Sequence, residues 1–253
     1  MNIIGVAGSV NSSSLMMIGS AANDTFSGFN GSLWFDSTAV NFSSIGAVLL
    51  NPNGGSDILS VAGGTLALAA GPVGGGYVRR TFSTLSIAPG AELYVVPPSV
   101  YHTDRQVLVV PANVNISGKL DLTTNDLIVN NGSFTAINNT IATGVNLFTS
   151  VTTLATSGGT ANTSLGVMLN GSPNYYPTFD GVPVSRTAVI VKWTFAGDTN
   201  LNGRVDSDDS PKLNTGLTGW SNGDYNYDGV INSLDTAIYN RNLTAQGNTF
   251  LSP

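Results

Sequence analysis

A mainly β chain is the architecture this sequence predicts: a β-sandwich or jelly-roll-like body over residues 1–195, then a small α-helical module over 196–245. Three observations carry that expectation. Short runs of Val, Ile and Leu, roughly four to eight residues long, recur through the body between Gly, Pro, Asn and Ser. Alternating apolar pairs repeatedly flank a glycine: Leu59 and Val61 with Leu66 and Leu68 about Gly64, Leu85 and Ile87 with Leu93 and Val95 about Gly90, and Val114 and Ile116 with Leu120 and Leu122 about Gly118. A fourth set places Leu127 and Val129 before Gly132 and Phe134. Finally, seven of the fifteen acidic residues fall between Asp198 and Asp235.

Within the body each glycine-centred unit reads as a hairpin or as one corner of a coil. The glycines step by 26, 28 and 14 residues, which is irregular for a repeat. A two-sheet sandwich is therefore the first expectation and a short β-solenoid the alternative. Ile141 to Thr156 carries Val145, Leu147, Phe148, Val151 and Leu154 at separations of three and four, which predicts a helix over an open end. Residues 1–20 are apolar at Ile3, Ile4, Val6 and Leu15 to Ile18 with no evident internal partner. They read as a donor strand that would complete a neighbour's sheet. The last strand, Ala188 to Phe195, reaches the acidic tail through Ala196 and Gly197 alone. A tethered module would follow a longer polar spacer, so this tail is expected to pack against the body.

Composition narrows the function. Charged residues make up 9% of the chain, against about 25% in ordinary soluble domains, a habit of secreted and fibrous proteins. The net charge is -6 and only nine Lys and Arg are present, scattered along the chain, which excludes nucleic acid as a partner. Cysteine is absent, so disulfides and thiolate chemistry are excluded. No run of about 18 apolar residues exists to span a membrane. Ser12 to Ser14 interrupt the N-terminal apolar stretch and no basic residue precedes it; an export signal is expected to have been removed or to lie outside this sequence. One His (His102) and one Glu (Glu92) leave few catalytic sets to assemble. The spacing of the scattered aspartates favours no pair for sugar hydrolysis. Tyr175, Tyr176 and Phe179 would suit a sugar-stacking platform, although core packing is the commoner fate of such clusters. The chain is read as a non-enzyme.

The acidic tail has its own grammar. With Asp198 as position 1 of a twelve-residue loop, Asn200 falls at 3, Asn202 at 5, Gly203 at 6, Arg204 at 7, Asp206 at 9 and Asp209 at 12. A second frame from Asp224 places Asn226 at 3, Asp228 at 5, Gly229 at 6, Val230 at 7, Asn232 at 9 and Asp235 at 12. Oxygen-bearing side chains at alternate positions, a glycine for the sharp turn and a backbone carbonyl at position 7 are what a hard cation demands as the chain curls around it. Two calcium ions are therefore expected, held by these twelve residues. Val205 and Ile231 at position 8 are expected to pair where the loops meet. Helices capped by Ser207 and Ser233 are expected to follow, with Leu213, Leu217, Leu234, Ile238 and Leu243 facing inward. Pro211 predicts that the first helix is short or distorted.

The segments Gly197 to Asp209 and Gly223 to Asp235 resemble the duplicated calcium loops of type I dockerins. More broadly, residues 85–245 look like the C-terminal part of large secreted β-rich proteins of planctomycete-type bacteria, in the stretches Leu85 to Leu93 and Gly118 to Val129 before the loops. The dockerin resemblance implies cohesin binding through positions 10 and 11, here Ser207-Asp208 and Ser233-Leu234. Those pairs are unalike, so cohesin binding is not the first expectation. That expectation is an extracellular structural or adhesive protein, a subunit of a fibre, matrix or surface layer that self-associates. The alternative is a carbohydrate-binding or carbohydrate-active β domain carried to a cohesin scaffold.

Overall fold

The computed structural model describes residues 56–69, 77–99, 104–171 and 175–251; of the first 55 residues it describes only strands. Those strands are β1 (Asn2–Val6), β2 (Ser14–Ile18), β3 (Thr25–Phe29), β4 (Ser32–Phe35), β5 (Thr38–Asn41) and β6 (Ala47–Asn51). The chain continues with β7 (Ile58–Leu68), β8 (Val78–Thr81), β9 (Thr84–Ile87), β10 (Ala91–Val95), β11 (Gln106–Val110), β12 (Asn113–Ile116), β13 (Lys119–Asp121) and β14 (Asp126–Val129). Helix α1 (Phe134–Thr143) follows, then β15 (Leu147–Phe148), β16 (Thr153–Thr156), β17 (Gly159–Leu169), β18 (Thr178–Phe179), β19 (Val182–Pro183), β20 (Val189–Phe195) and α2 (Ser233–Ala245).

The protein is mainly β, and its central strands pair in parallel. β8, β9 and β10 form three sides of one coil, and β11, β12 and β13 repeat them, each strand lying on its predecessor. The register stacks like on like: Leu59 on Leu85, then Val114; Val61 on Ile87, then Ile116; Leu66 on Leu93, Leu120 and Leu147. All the leucines of these ladders are buried, each worth about 2 kcal/mol on leaving water. A sandwich or jelly roll would join consecutive strands as antiparallel hairpins. Here the units about Gly64, Gly90 and Gly118 are instead corners, and each strand pairs with one that lies a coil further along the chain. This is the arrangement that a short solenoid requires. Gly118 turns one such corner, where a Cβ would stand 2.2 Å from the Ala88 carbonyl oxygen and 2.4 Å from that of Ala91.

Buried polar side chains hold one edge of the stack together. Gln106 donates to the carbonyls of Leu68 and Val96, Asn125 to those of Val95, Val96 and Leu122, and Arg80 to that of Ala69. Gln106 accepts in turn from Arg80, and its backbone N–H donates to Asn125. Carbonyls left over where strands end are thereby satisfied away from water.

The third coil breaks the pattern, because α1 stands where its second strand would be. The expected helix over 141–156 lies earlier: the Ser133 hydroxyl accepts from the Ala136 N–H, and Gly144, at φ 63, ends the helix. Ile137 and Ile141 are its buried face, and Leu147–Phe148 and Thr153–Thr156 are strands.

Past the coils the third face continues as a mixed sheet in the order β16-β17-β20-β14-β11-β8, with β20 antiparallel to both β14 and β17. The N-terminal segment also departs from expectation. β1 pairs with β2, and β2 with β6, so residues 2–6 and 14–18 belong to the chain's own sheet instead of lacking an internal partner. No helix among the described residues is long and apolar enough to cross a membrane.

Candidate metal centre

β20 delivers the chain directly into loop 1, and both loops fold to one pattern. The Gly203 N–H donates to Asp198 Oδ2 at 2.9 Å, as Gly229 does to Asp224 Oδ2 at 3.1 Å. Asn202 N–H donates to Asn200 Oδ1, as Asp228 N–H does to Asn226 Oδ1. Arg204 N–H donates to Asn202 Oδ1, as Val230 N–H does to Asp228 Oδ1. Position 12 closes each ring: Asp209 accepts from the N–H groups of Thr199 and Asp206, and Asp235 from those of Tyr225 and Asn232. Position 4 is left-handed in both loops, Leu201 and Tyr227 each at φ 59, and the glycines at position 6 stand at φ 87 and 85. Such backbone conformations cost a side chain dearly and a glycine little.

Asp206 and Asn232, at position 9, cap the helical turns that follow, each in a capping box with its position-12 carboxylate. The caps thus lie one residue before the expected Ser207 and Ser233. The first turn is a 3-10 segment of three residues, Ser207–Asp209, ending just before Pro211. Beyond it the chain makes an excursion that closes where Lys212 N–H donates to the Asn222 carbonyl, leaving Leu213 and Leu217 exposed. On α2 the inward face is Tyr239 and Asn242, while Leu234 and Leu243 are exposed and only Ile238 of the three expected residues packs partly on the core.

The expected pairing of Val205 with Ile231 is replaced by a side chain. The Gln246 carboxamide accepts from the Val205 N–H at 2.8 Å and donates to its carbonyl at 2.5 Å. Nothing in the sequence pattern singled out Gln246, nor Trp220, the other organising residue. Trp220 is fully buried, stacks on Tyr227 at 5.5 Å, meets Tyr225 edge-on, and donates from Nε1 to the Asp198 carbonyl at 2.6 Å. Gly166 of β17 makes room for it, since a Cβ there would stand 2.7 Å from the indole nitrogen and 2.5 Å from Leu201.

The module is fastened to the body at several points, as the missing spacer suggested. Tyr227 donates to the Leu165 carbonyl and Tyr176 to that of Asn200. Asn242 accepts from the Asn162 N–H and donates to the carbonyls of Asn162 and Ala196, extending the edge of β17 with a side-chain amide. Loop 1 is tied to the second half of the module by Tyr225, which donates to the Asp209 carbonyl, and by Tyr239, which donates to that of Asp206.

The electrostatics of the loops favour a cation. Burial, reinforced by Asp209, pushes the Asp198 carboxyl up to about 7, and burial pushes Asp209 up to about 6. Asp224 is raised too, chiefly by burial. Its Oδ1 is buried and accepts no hydrogen bond. A buried carboxylate oxygen with no donor is costly in a dry site and well placed for a divalent ion. Among the described residues no three or more His, Cys, Asp and Glu side chains converge as a metal-holding group. Asn200, Asn202, Asn226 and Asn232 stand at positions where a purely acidic set would have carboxylates. The donors available are therefore mixed: carboxylates of Asp198, Asp206, Asp209, Asp224, Asp228 and Asp235, amide oxygens of the four asparagines, and the carbonyls of Arg204 and Val230. Carboxylate, amide and carbonyl oxygens suit a hard cation.

Of the three aromatics read as a sugar-stacking platform, Phe179 is buried, Tyr175 is exposed and Arg186 lies over its ring at 3.9 Å. His102 lies outside the described residues. Compared with family models, with curated proteins and with solved structures, the chain finds no match in any of the three.

Proposed function

We propose that residues 198–235 bind two calcium ions, one in each loop, and that these ions lock a dockerin-like module onto the β body of an extracellular structural protein. The observation that carries the reading is the repetition of one loop geometry in both frames, with Asp224 Oδ1 buried and without a donor in the second. Calcium fits better than magnesium because a mixed, irregular set of oxygens suits an ion that accepts six to eight ligands, whereas magnesium demands near-ideal octahedral geometry and keeps its waters. The low charge of the chain and the direct run of β20 into loop 1 support a structural role. Titration calorimetry of the folded protein after chelation tests it: two calcium equivalents are expected, and a folded protein that takes up none would overturn the reading.

Self-association belongs to this proposal. β1 ends the strand path of its sheet, and deletion of residues 1–20 should abolish polymers while leaving folded monomers. A second reading, delivery of the β body to a cohesin-type scaffold, is favoured by the exposure of Ser207, Asp208, Ser233 and Leu234, with Leu234 60% exposed. Self-assembly without cohesin capture favours the first reading, and tight cohesin capture by monomers favours the second.

A further inference from the structure

Lys192 occupies the middle of β20, and all seven residues of that strand are buried. Its Nζ stands 3.3 Å and 3.5 Å from the two carboxylate oxygens of Asp180, and neither side chain is exposed. Asp180 comes from the two-residue Asp-Gly turn between β18 and β19, left-handed at both Asp180 (φ 45) and Gly181 (φ 72). Turns of this kind normally carry their polar side chains into water. This one carries its carboxylate into the core, with Phe179 against the Lys192 ammonium at 4.9 Å.

The third partner is Asp126, also fully buried, whose carboxyl is hydrogen-bonded to that of Asp180. Continuing the register of β14 and β20 sets Asp126 opposite Lys192. Arg105 at 3.2 Å and the Trp193 N–H, also at 3.2 Å, fix its orientation. Burial pushes the Lys192 ammonium down and the Asp126 carboxyl well above the usual carboxylate range. Burial would raise Asp180 too, but Lys192 and the hydrogen bond from Asp126 outweigh it and hold Asp180 below its ordinary value. An amine that gives up its charge readily thus faces a carboxylate, with an acid beside it. Ion pairs buried this deeply seldom repay their desolvation, whereas condensation removes both charges. Contact between the ammonium and both carboxylate oxygens holds the two groups together before any reaction, which lowers the entropic cost of attack.

We propose that Lys192 and Asp180 condense into an intramolecular isopeptide bond, with Asp126 relaying the protons. The Nζ lone pair attacks Asp180 Cγ, forming the C–N bond. One Asp180 oxygen remains as the amide carbonyl. The other departs as water when its C–O bond breaks. Of the three protons on the Lys192 ammonium, two leave with that water by way of Asp126 and one stays on the amide nitrogen. The charges of the pair cancel, and no oxidant, reductant or co-reactant is required. In a chain with no cysteine, the bond would tie the β18–β19 hairpin to the strand that enters loop 1.

Intact mass of the denatured full-length protein provides the test. The expected mass is lower than the sequence mass by one water, with a digest containing a branched peptide that joins residues 180 and 192. Dehydration of Asp180-Gly181 to a succinimide would remove the same mass, so Lys192→Arg separates the two: it restores the full mass only if lysine is the partner. A folded wild-type protein of full sequence mass, or a water loss that persists in Lys192→Arg, overturns the bond. Asp126→Ala, folded by circular dichroism and unlinked, is the expected result for the relay; linkage as complete and as fast as wild type during refolding overturns that role.

Discussion

Loop 1 and loop 2 share a framework of internal hydrogen bonds and differ in how fully their carboxylates are paired and in what surrounds them. In loop 1 Asp198 accepts from Asn202 N–H, Gly203 N–H and the Thr194 hydroxyl, and Asp209 Oδ1 accepts three hydrogen bonds from Thr199 and Asn200. Leu201 and Val205 are buried against the body. In loop 2 Asp224 accepts through Oδ2 alone, each Asp235 oxygen accepts one bond, and Val230 is 57% exposed. Similar local sequence grammar therefore yields one loop whose carboxylates the protein itself pairs and one that keeps a buried carboxylate oxygen without a donor. Packing, not the ligand spacing, makes the difference.

Trp220→Ala should break this comparison most severely. Loss of the indole and its cavity should cost about 4 kcal/mol in denaturant unfolding, and loop 1 should become as calcium-dependent as loop 2. Unchanged protection of residues 198–209 in calcium-free Trp220→Ala would show that the body does not hold loop 1. Calcium itself comes next: at a hundredfold excess over Kd each site should add about 2.7 kcal/mol. On chelation, hydrogen exchange should quicken over 224–235 well before 198–209; the reverse order would contradict the comparison. Asp198→Ala should cost about 2 kcal/mol even without calcium, because it strands the buried Gly203 N–H and Thr194 hydroxyl. Asp224→Ala should leave calcium-free stability nearly unchanged and remove one calcium equivalent.

Acidity sharpens the comparison further. Asp198 and Asp209 are raised to about 7 and 6 from 3.8 when no cation balances them. A carboxyl raised in the folded state holds its proton there and releases it on unfolding, so its contribution is fully present below about pH 4 and fades as pH rises through 6 to 7. Thermal melts of the chelated protein should show Tm falling over that window, and saturating calcium should abolish the fall. The smallest change is Thr194→Val, which removes one donor to Asp198 and should cost about 1 kcal/mol with loop 2 untouched.

The repeated loop geometry was legible because its information is local: oxygen-bearing side chains at alternate positions, one glycine, and a carboxylate at the end of twelve residues. The coils were not, because an alternating strand followed by a glycine looks the same whether the next strand folds back or climbs one level. Gly64, Gly90 and Gly118 do mark corners, but Gly132 leads into the cap of α1, and counting it with the others made the step look irregular. The helix itself was announced by Ser133 and Gly144, its two caps, while the apolar spacing after Ile141 pointed too far along the chain. Leu213 and Leu217 stay outside because the first helical turn stops at Asp209, just before Pro211. Gln246, Trp220 and the buried Lys192 act across long separations, and no spacing rule reaches them.

The direct passage from β20 into loop 1 has a mechanical consequence. Tension entering through α2 and the two loops is handed to β20 along its own axis. β20 lies between β14 and β17, antiparallel to both, so extension must slide it lengthwise against two neighbours at once. Ladder hydrogen bonds stressed in that direction share the load and yield together, where a strand peeled from a sheet's rim surrenders them one at a time.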